Sequence, residues 1–233
     1  MRPAHAALLM AVILYSANAL AAPERNHDIV AEDYFSLSYL IAVAASPNGD
    51  KVAYAEMRWA PPEKSRNIDL WVVSSKGGKS TRLTFDQAAD VAPHWSPDGK
   101  WLYFASARKR SGETRPPYDG KRQIWRIRPD GSGLSAVTRV RKGVGSYQLS
   151  RDGRYLYYLV NTEHVAEDRW KKVRGKFKSL KYGDGVEKFS ELWRLDLQHW
   201  RSEKLIAEKR VIGGFDVAPG GQRIAMKTTP NRK

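Results

Sequence analysis

Apolar and polar positions alternate with a period of two in short runs along most of this chain, and turn residues separate the runs. The clearest case lies between Val91 and Ala105. Leu102 and Phe104 fall on one face of a strand, Trp101 and Tyr103 on the other. Ser96-Pro97-Asp98-Gly99 predicts the tight turn before that strand. Pro97 pre-sets φ, Asp98 is able to bond its own backbone, and Gly99 takes a positive φ without steric cost.

The same unit recurs. Ser46-Pro47-Asn48-Gly49 precedes Val52-Ala53-Tyr54, Ser150-Arg151-Asp152-Gly153 precedes Leu156-Tyr157-Tyr158, and Ala218-Pro219-Gly220-Gly221 precedes Ile224-Ala225-Met226. Aligned on the last turn glycine, Val52, Leu102, Leu156 and Ile224 form a column of branched aliphatics. Tyr54, Phe104, Tyr158 and Met226 form a second column of large apolar side chains. The column between them (Ala53, Tyr103, Tyr157, Ala225) carries no charge either, so both faces of each sheet are expected to be covered.

A tryptophan hairpin follows each of the first three units: Leu70-Trp71-Val72-Val73, Ile124-Trp125-Arg126-Ile127 and Leu192-Trp193-Arg194-Leu195. Their turns fall at Lys76-Gly77-Gly78, at Pro129-Asp130-Gly131 and at a less typical Gln198-His199-Trp200, and short last strands are expected around Leu83, Val137 and Leu205. From Trp71 to Gly99, from Trp125 to Gly153 and from Trp193 to Gly221 the interval is 28 residues each time, whereas from turn glycine forward to tryptophan it is 22, 26 and 40. All the length variation therefore sits in the loop between the second and third strands of a unit, as a stacked repeat with one tolerant loop requires. The expected fold is all-β, a β-propeller of four-stranded antiparallel blades. A β-sandwich that reuses turns is the alternative, but it has no reason to keep a constant interval. The tryptophan column reads as blade-to-blade core and not as a ligand cage.

The blades are expected at about 39–84, 91–138 and 147–208, with a half-blade at 215–229, so that the 233 residues hold about three and a half blades of an incomplete propeller over 39–233. The chain is expected to be the N-terminal portion of a longer protein. A complete short chain that closes by dimerising is the other possibility. Residues 1–21 read as a secretory signal peptide: Arg2, an apolar run from Ala6 to Tyr15, and Ala19-Leu20-Ala21 as cleavage site. Ten apolar residues are too few to cross roughly 30 Å of hydrocarbon as a helix, so no membrane span is expected after cleavage. Residues 22–38 are a lead-in, with a short helical or extended piece from Asp28 to Phe35. Export to the periplasm or the exterior follows from this reading.

Charge sharpens the picture. The formal net charge is +15, and three variable loops (56–68, 106–122 and 160–190) hold 17 basic against 9 acidic residues. Strand alternation puts these loops on one rim, which makes that rim basic. Three readings compete: a solvated surface, an attractor of acidic ligands, and a nucleic-acid face with Trp170, Phe177 and Tyr182 interleaved. Export argues against nucleic acid.

The absence of cysteine excludes disulfides and thiolate chemistry. No G-x-S-x-G elbow, phosphate-binding loop or H-E-x-x-H is present, and His5, His27, His94, His164 and His199 are scattered. Asp98 and Asp152 read as turn residues. No catalytic, cofactor-binding or metal-ligating residue is assigned, no cofactor is expected, and the substrate-binding residues are unknown.

The Ser96-Pro97-Asp98-Gly99-Lys100 turn, its alternating aromatic strand and the tryptophan hairpin resemble the WD40-like repeats of TolB-type propellers. The whole layout is more similar to the N-terminal propeller of prolyl oligopeptidase-family (S9) serine peptidases, the dipeptidyl- and acylaminoacyl-peptidase-like members. That similarity rests on Asp33-Tyr34-Phe35-Ser36-Leu37 ahead of the first turn, on Arg58-Trp59 to Val73, and on Arg169-Trp170 to Trp193. It implies a non-catalytic propeller that gates peptide access to a C-terminal α/β-hydrolase domain absent from this chain. Peptides or that domain would be its partners. The TolB-like alternative implies a periplasmic protein-binding propeller without enzymatic activity.

Overall fold

The computed structural model describes residues 27–60, 65–164, 176, 187–206 and 210–229. The signal-peptide reading of residues 1–21 lies outside them. The described residues hold one four-residue helix, α1 (Asp33–Ser36), and fourteen strands. The first sheet is β1 (Tyr39–Ala45), β2 (Lys51–Ala60), β3 (Ser65–Ser74) and β4 (Thr81–Arg82). The second is β5 (Asp90–Trp95), β6 (Leu102–Ser106), β7 (Gln123–Ile127) and β8 (Ser135–Ala136). The third is β9 (Tyr147–Leu149), β10 (Tyr155–His164), β11 (Glu187–Asp196) and β12 (Arg201–Lys204). β13 (Val211–Val217) and β14 (Ile224–Thr229) pair as a two-stranded sheet. Each four-stranded sheet is an antiparallel meander in chain order, so the fold is all-β with propeller-like blades.

The turns explain why the repeats fold alike. Gly49, Gly99, Gly153 and Gly221 have φ between 68° and 73°. In the second unit Gly99 N–H donates to Ser96 C=O at 2.9 Å, and Ser96 N–H to Trp101 C=O at 2.8 Å. Asp98 Oδ1 accepts from Lys100 N–H at 3.1 Å, the bond expected from its side chain. The buried serine is a second lock: Ser96 Oγ donates to Asp98 at 2.6 Å and accepts from Trp101 N–H at 2.9 Å. Ser46 and Ser150 repeat the arrangement. Ala218 and Gly220 leave the fourth turn with its backbone bonds alone, Gly221 N–H to Ala218 C=O at 2.8 Å being one.

Register places the sequence columns opposite one another. Tyr54 pairs with Trp71, Phe104 with Trp125 and Tyr158 with Trp193, while Val52 faces Val73, Leu102 faces Ile127 and Leu156 faces Leu195. The large apolar column and the tryptophan column are therefore one cross-strand stripe. The fourth strands end just before the expected Leu83, Val137 and Leu205. Each of these three still donates its N–H to the third strand at 2.8 Å, to Leu70, Ile124 and Leu192.

Sheets stack through these stripes. Ala53, Leu70 and Val72 of the first sheet pack on Leu102, Phe104, Trp125 and Ile127 of the second. The opposite face of the second sheet, with Tyr103, Ala105 and Ile124, packs on Leu156, Tyr158 and Leu195 of the third. Leu159 and Leu192 then meet Ile212, and Phe215, Ile224 and Met226 pack around them. Both faces of the inner sheets are covered, as the uncharged middle column predicts. Trp125 is fully buried and Trp193 half-buried between sheets. Trp71 instead lies on the outer face of the first sheet, stacked on Tyr54 at 6.4 Å with the Arg58 guanidinium 4.4 Å above it. Among the described sheets, blade-to-blade packing thus holds Trp125 and Trp193. The lead-in is anchored by Phe35, whose ring lies 5.0 Å from that of Trp59.

Candidate functional site

The rim where the second-to-third-strand loops emerge is the region that sequence marks as basic. Of the three loops, 106–122 is described throughout; Trp170, Phe177 and Tyr182 lie outside the described residues. Strand alternation brings residues 83–90 to the same rim, and they carry two acids, Asp86 and Asp90, that the loop count left out. Arg108 is the result. Its guanidinium is buried, donates to Asp90 Oδ2 at 2.8 Å and to Asp86 Oδ2 at 3.3 Å, and lies 5.1 Å from the Trp125 ring. Burial pushes the Asp90 carboxyl up to about 6, outweighing the pull of Arg108 and the hydroxyls of Ser106 and Thr84.

Much of the remaining described charge on this rim is also engaged within the molecule. Arg58 pairs with Glu56 at 2.7 Å. The Arg66 guanidinium stacks on Tyr34 at 4.8 Å and Tyr39 at 4.7 Å. Arg110 lies 3.6 Å from the Tyr118 ring centre, and Lys121 Nζ donates to Arg141 C=O at 2.8 Å. Arg82 donates to Asp69 at 2.6 Å, and burial still raises the Asp69 carboxyl. A cavity of about 350 Å³ opens here on the first sheet, lined by Arg58, Trp59, Asn67, Trp71, Arg82 and Phe85. Asp69 and Asp86 also line it, and Arg82 and Asn67 are already bonded to Asp69 and to the Asp86 C=O, so the cavity sets aromatic faces beside paired polar groups.

The other sequence-selected residues are spread over the molecule. Asp98 and Asp152 are turn residues whose serine partners hold their carboxyls below the usual range. His94 packs edge-on against Tyr147, His199 lies 3.1 Å from Asp196, and His27 lies 3.6 Å from Asp33. His27, His94 and His199 therefore do not converge. Loop counting missed Asp86 and Asp90, and it missed Arg139, Arg141 and Lys142 in the segment 137–146. The available signal was topological: in an antiparallel meander, the link to the next sheet returns to the rim of the variable loop.

No family model matches the chain. It is 26% identical over 171 residues to dipeptidyl-peptidase 5 of Porphyromonas endodontalis, covering 70% of this chain and 23% of that protein. It is 36% identical over 130 residues to the uncharacterized peptidase YuxL of Bacillus subtilis, covering 49% of this chain and 20% of that protein. An uncharacterized Agrobacterium fabrum protein, Atu1656, is 33% identical over 93 residues, 40% of this chain and 26% of that one. The chain thus spans about a quarter or less of the length of these relatives. Among solved structures, Pyrococcus horikoshii acylaminoacyl peptidase superposes with a TM-score of 0.55 at 15% identity, over 82% of this chain and 28% of that one. A TolB protein of Agrobacterium tumefaciens does so with 0.50 at 19% identity, over 83% and 59%. Sequence and fold give the same coarse result: a propeller similar to those of S9 peptidases and of TolB-like proteins.

Proposed function

We propose that this chain is the non-catalytic propeller of an exported S9-type serine peptidase, and that it gates peptide access to an α/β-hydrolase domain encoded outside these residues. The observation that carries the reading is the match to dipeptidyl-peptidase 5, which runs through 171 residues and not through one repeat. A lone turn motif would match for a few tens of residues only. The match to peptidase YuxL supports the same reading at higher identity. In this role the stacked sheets supply a rigid wall, and the rim loops meet the peptide before the hydrolase does. The aromatic faces of the first-sheet cavity, Trp59, Trp71 and Phe85, suit the apolar side chains of a peptide.

The test is enzymatic. The full-length protein is assayed on a chromogenic dipeptide and on a folded protein substrate, with and without the propeller. The expected result is cleavage of the dipeptide alone by the intact protein and a loss of that size selection when the propeller is removed. Identical substrate ranges would refute gating. Export is tested by N-terminal sequencing of the mature protein, which is expected to begin at Ala22.

A TolB-like protein-binding propeller is the second reading, favoured by the superposition on the Agrobacterium tumefaciens structure. The coding sequence beyond codon 233 separates the two. A G-x-S-x-G motif in an open α/β pattern selects the peptidase, whereas further blades followed by a stop codon select the binder.

A further inference from the structure

A second cavity, of about 530 Å³, lies between the second and third sheets. It is apart from the first-sheet cavity and does not depend on the peptidase reading. Tyr158 and Trp193 of the third sheet form one wall, Trp200 stands at one end, and Arg139, Arg141 and Lys142 line the side that belongs to the link after the second sheet. These three cations are exposed, and among the described residues none of them forms an ion pair. The carboxylate in the lining, Glu191, is already neutralised. Its Oε1 accepts from Lys204 Nζ at 2.8 Å and its Oε2 from Trp193 Nε1 at 2.9 Å. Lys142 still feels the Glu191 charge, but Arg139 and Arg141 have no carboxylate partner among the described residues, so the groove keeps a positive edge beside an aromatic wall.

Trp200 is an independent pointer. It sits in the third-to-fourth-strand turn with φ 56°, a left-handed conformation that the corresponding turns of the first two sheets give only to glycines, Gly77 and Gly78 in one and Gly131 and Gly133 in the other. A tryptophan there strains the backbone, and its side chain is not in the core but remains 48% exposed. What the strain achieves is placement. The indole stands at the mouth of the groove, with the Arg126 guanidinium 5.3 Å from its ring.

We infer that this groove binds a linear acidic peptide segment in which carboxylates alternate with aromatic or large aliphatic side chains. The carboxylates meet Arg139, Arg141 and Lys142, and the apolar side chains lie on Trp193 and Trp200. An extended strand suits this arrangement because successive side chains point to opposite sides.

The test uses the full chain and a fluorescein-labelled peptide of alternating glutamate and phenylalanine, titrated by anisotropy at about 0.15 M salt, where long-range attraction is screened beyond roughly 8 Å. Saturable binding is expected. Arg139→Gln combined with Arg141→Gln should raise Kd about tenfold, the effect of two partly exposed charge contacts together. Trp200→Gly should also weaken binding, yet leave the melting temperature unchanged or higher because glycine relieves the turn. That variant separates binding from folding. Equal affinity for a peptide with lysine in place of glutamate would overturn the inference. So would full competition by inorganic polyphosphate at matched charge, insensitivity to both variants, or no binding at this salt concentration.

Discussion

Replacing Asp90 by asparagine tests whether burial or pairing governs the charge at the junction of the first two sheets. Asp90 has no exposed surface, yet its Oδ2 accepts from Arg108 at 2.8 Å. Burial prevails and pushes the carboxyl from 3.8 to about 6. A gap of about two pH units between the folded and unfolded values corresponds to about 3 kcal/mol, at roughly 1.4 kcal/mol per unit. A carboxyl whose folded value is raised holds its proton more tightly in the folded chain. Its stabilising contribution is complete below the unfolded value and is lost as pH rises through about 6. Asparagine is neutral throughout, and Asp86, 3.3 Å from Arg108 in the parent protein, remains as its partner. Asp90→Asn should therefore gain about 3 kcal/mol on the parent protein between about pH 4 and pH 7.5. Urea unfolding followed by tryptophan fluorescence, run on both proteins across that range, gives the difference directly. The raised Asp69 carboxyl is present in both proteins and cancels. A difference that stays flat, or that favours the parent protein as pH rises, would show that Arg108 outweighs desolvation.

Two further substitutions probe the stacking. Gly153 and Gly49 share a positive φ, 71° and 73°, but a Cβ on Gly153 would lie 3.0 Å from Pro97 Cδ in the neighbouring turn, whereas one on Gly49 would meet nothing within 4 Å. Alanine at either position costs about 1–2 kcal/mol through backbone strain, and Gly153→Ala should cost about 1 kcal/mol more for the clash. Equal midpoints in chemical denaturation would contradict turn-to-turn packing. Trp125→Ala should destabilise by about 3–5 kcal/mol, as expected for a large buried side chain. Trp71→Ala should cost less than half as much, because its ring lies on an outer face. Calorimetric melting of the two variants decides between this ranking and equivalence of the tryptophans.

How much was legible in the sequence varies by level. The turns were fully local: Ser96, Asp98 and Gly99 satisfy one another within six residues, so composition alone specifies them. The constant interval from tryptophan to the next glycine encoded the stacked sheets, because cross-strand pairing and sheet contact repeat together. Alternation even predicted that both faces of the inner sheets are covered.

Only the tertiary structure decided which repeated residues carry equivalent roles. Trp71, Trp125 and Trp193 are interchangeable as letters, but the first lies on an end face and the second between two sheets. Loop charge behaved likewise. Arg108 belongs to a basic stretch in sequence, yet folding sets it against Asp86 and Asp90, 22 and 18 residues away, and turns a surface cation into a buried partner. Period and turn chemistry act over a few neighbouring residues and survive in a linear reading. Desolvation and pairing depend on what the next sheet brings alongside, which becomes definite only when the sheets are stacked.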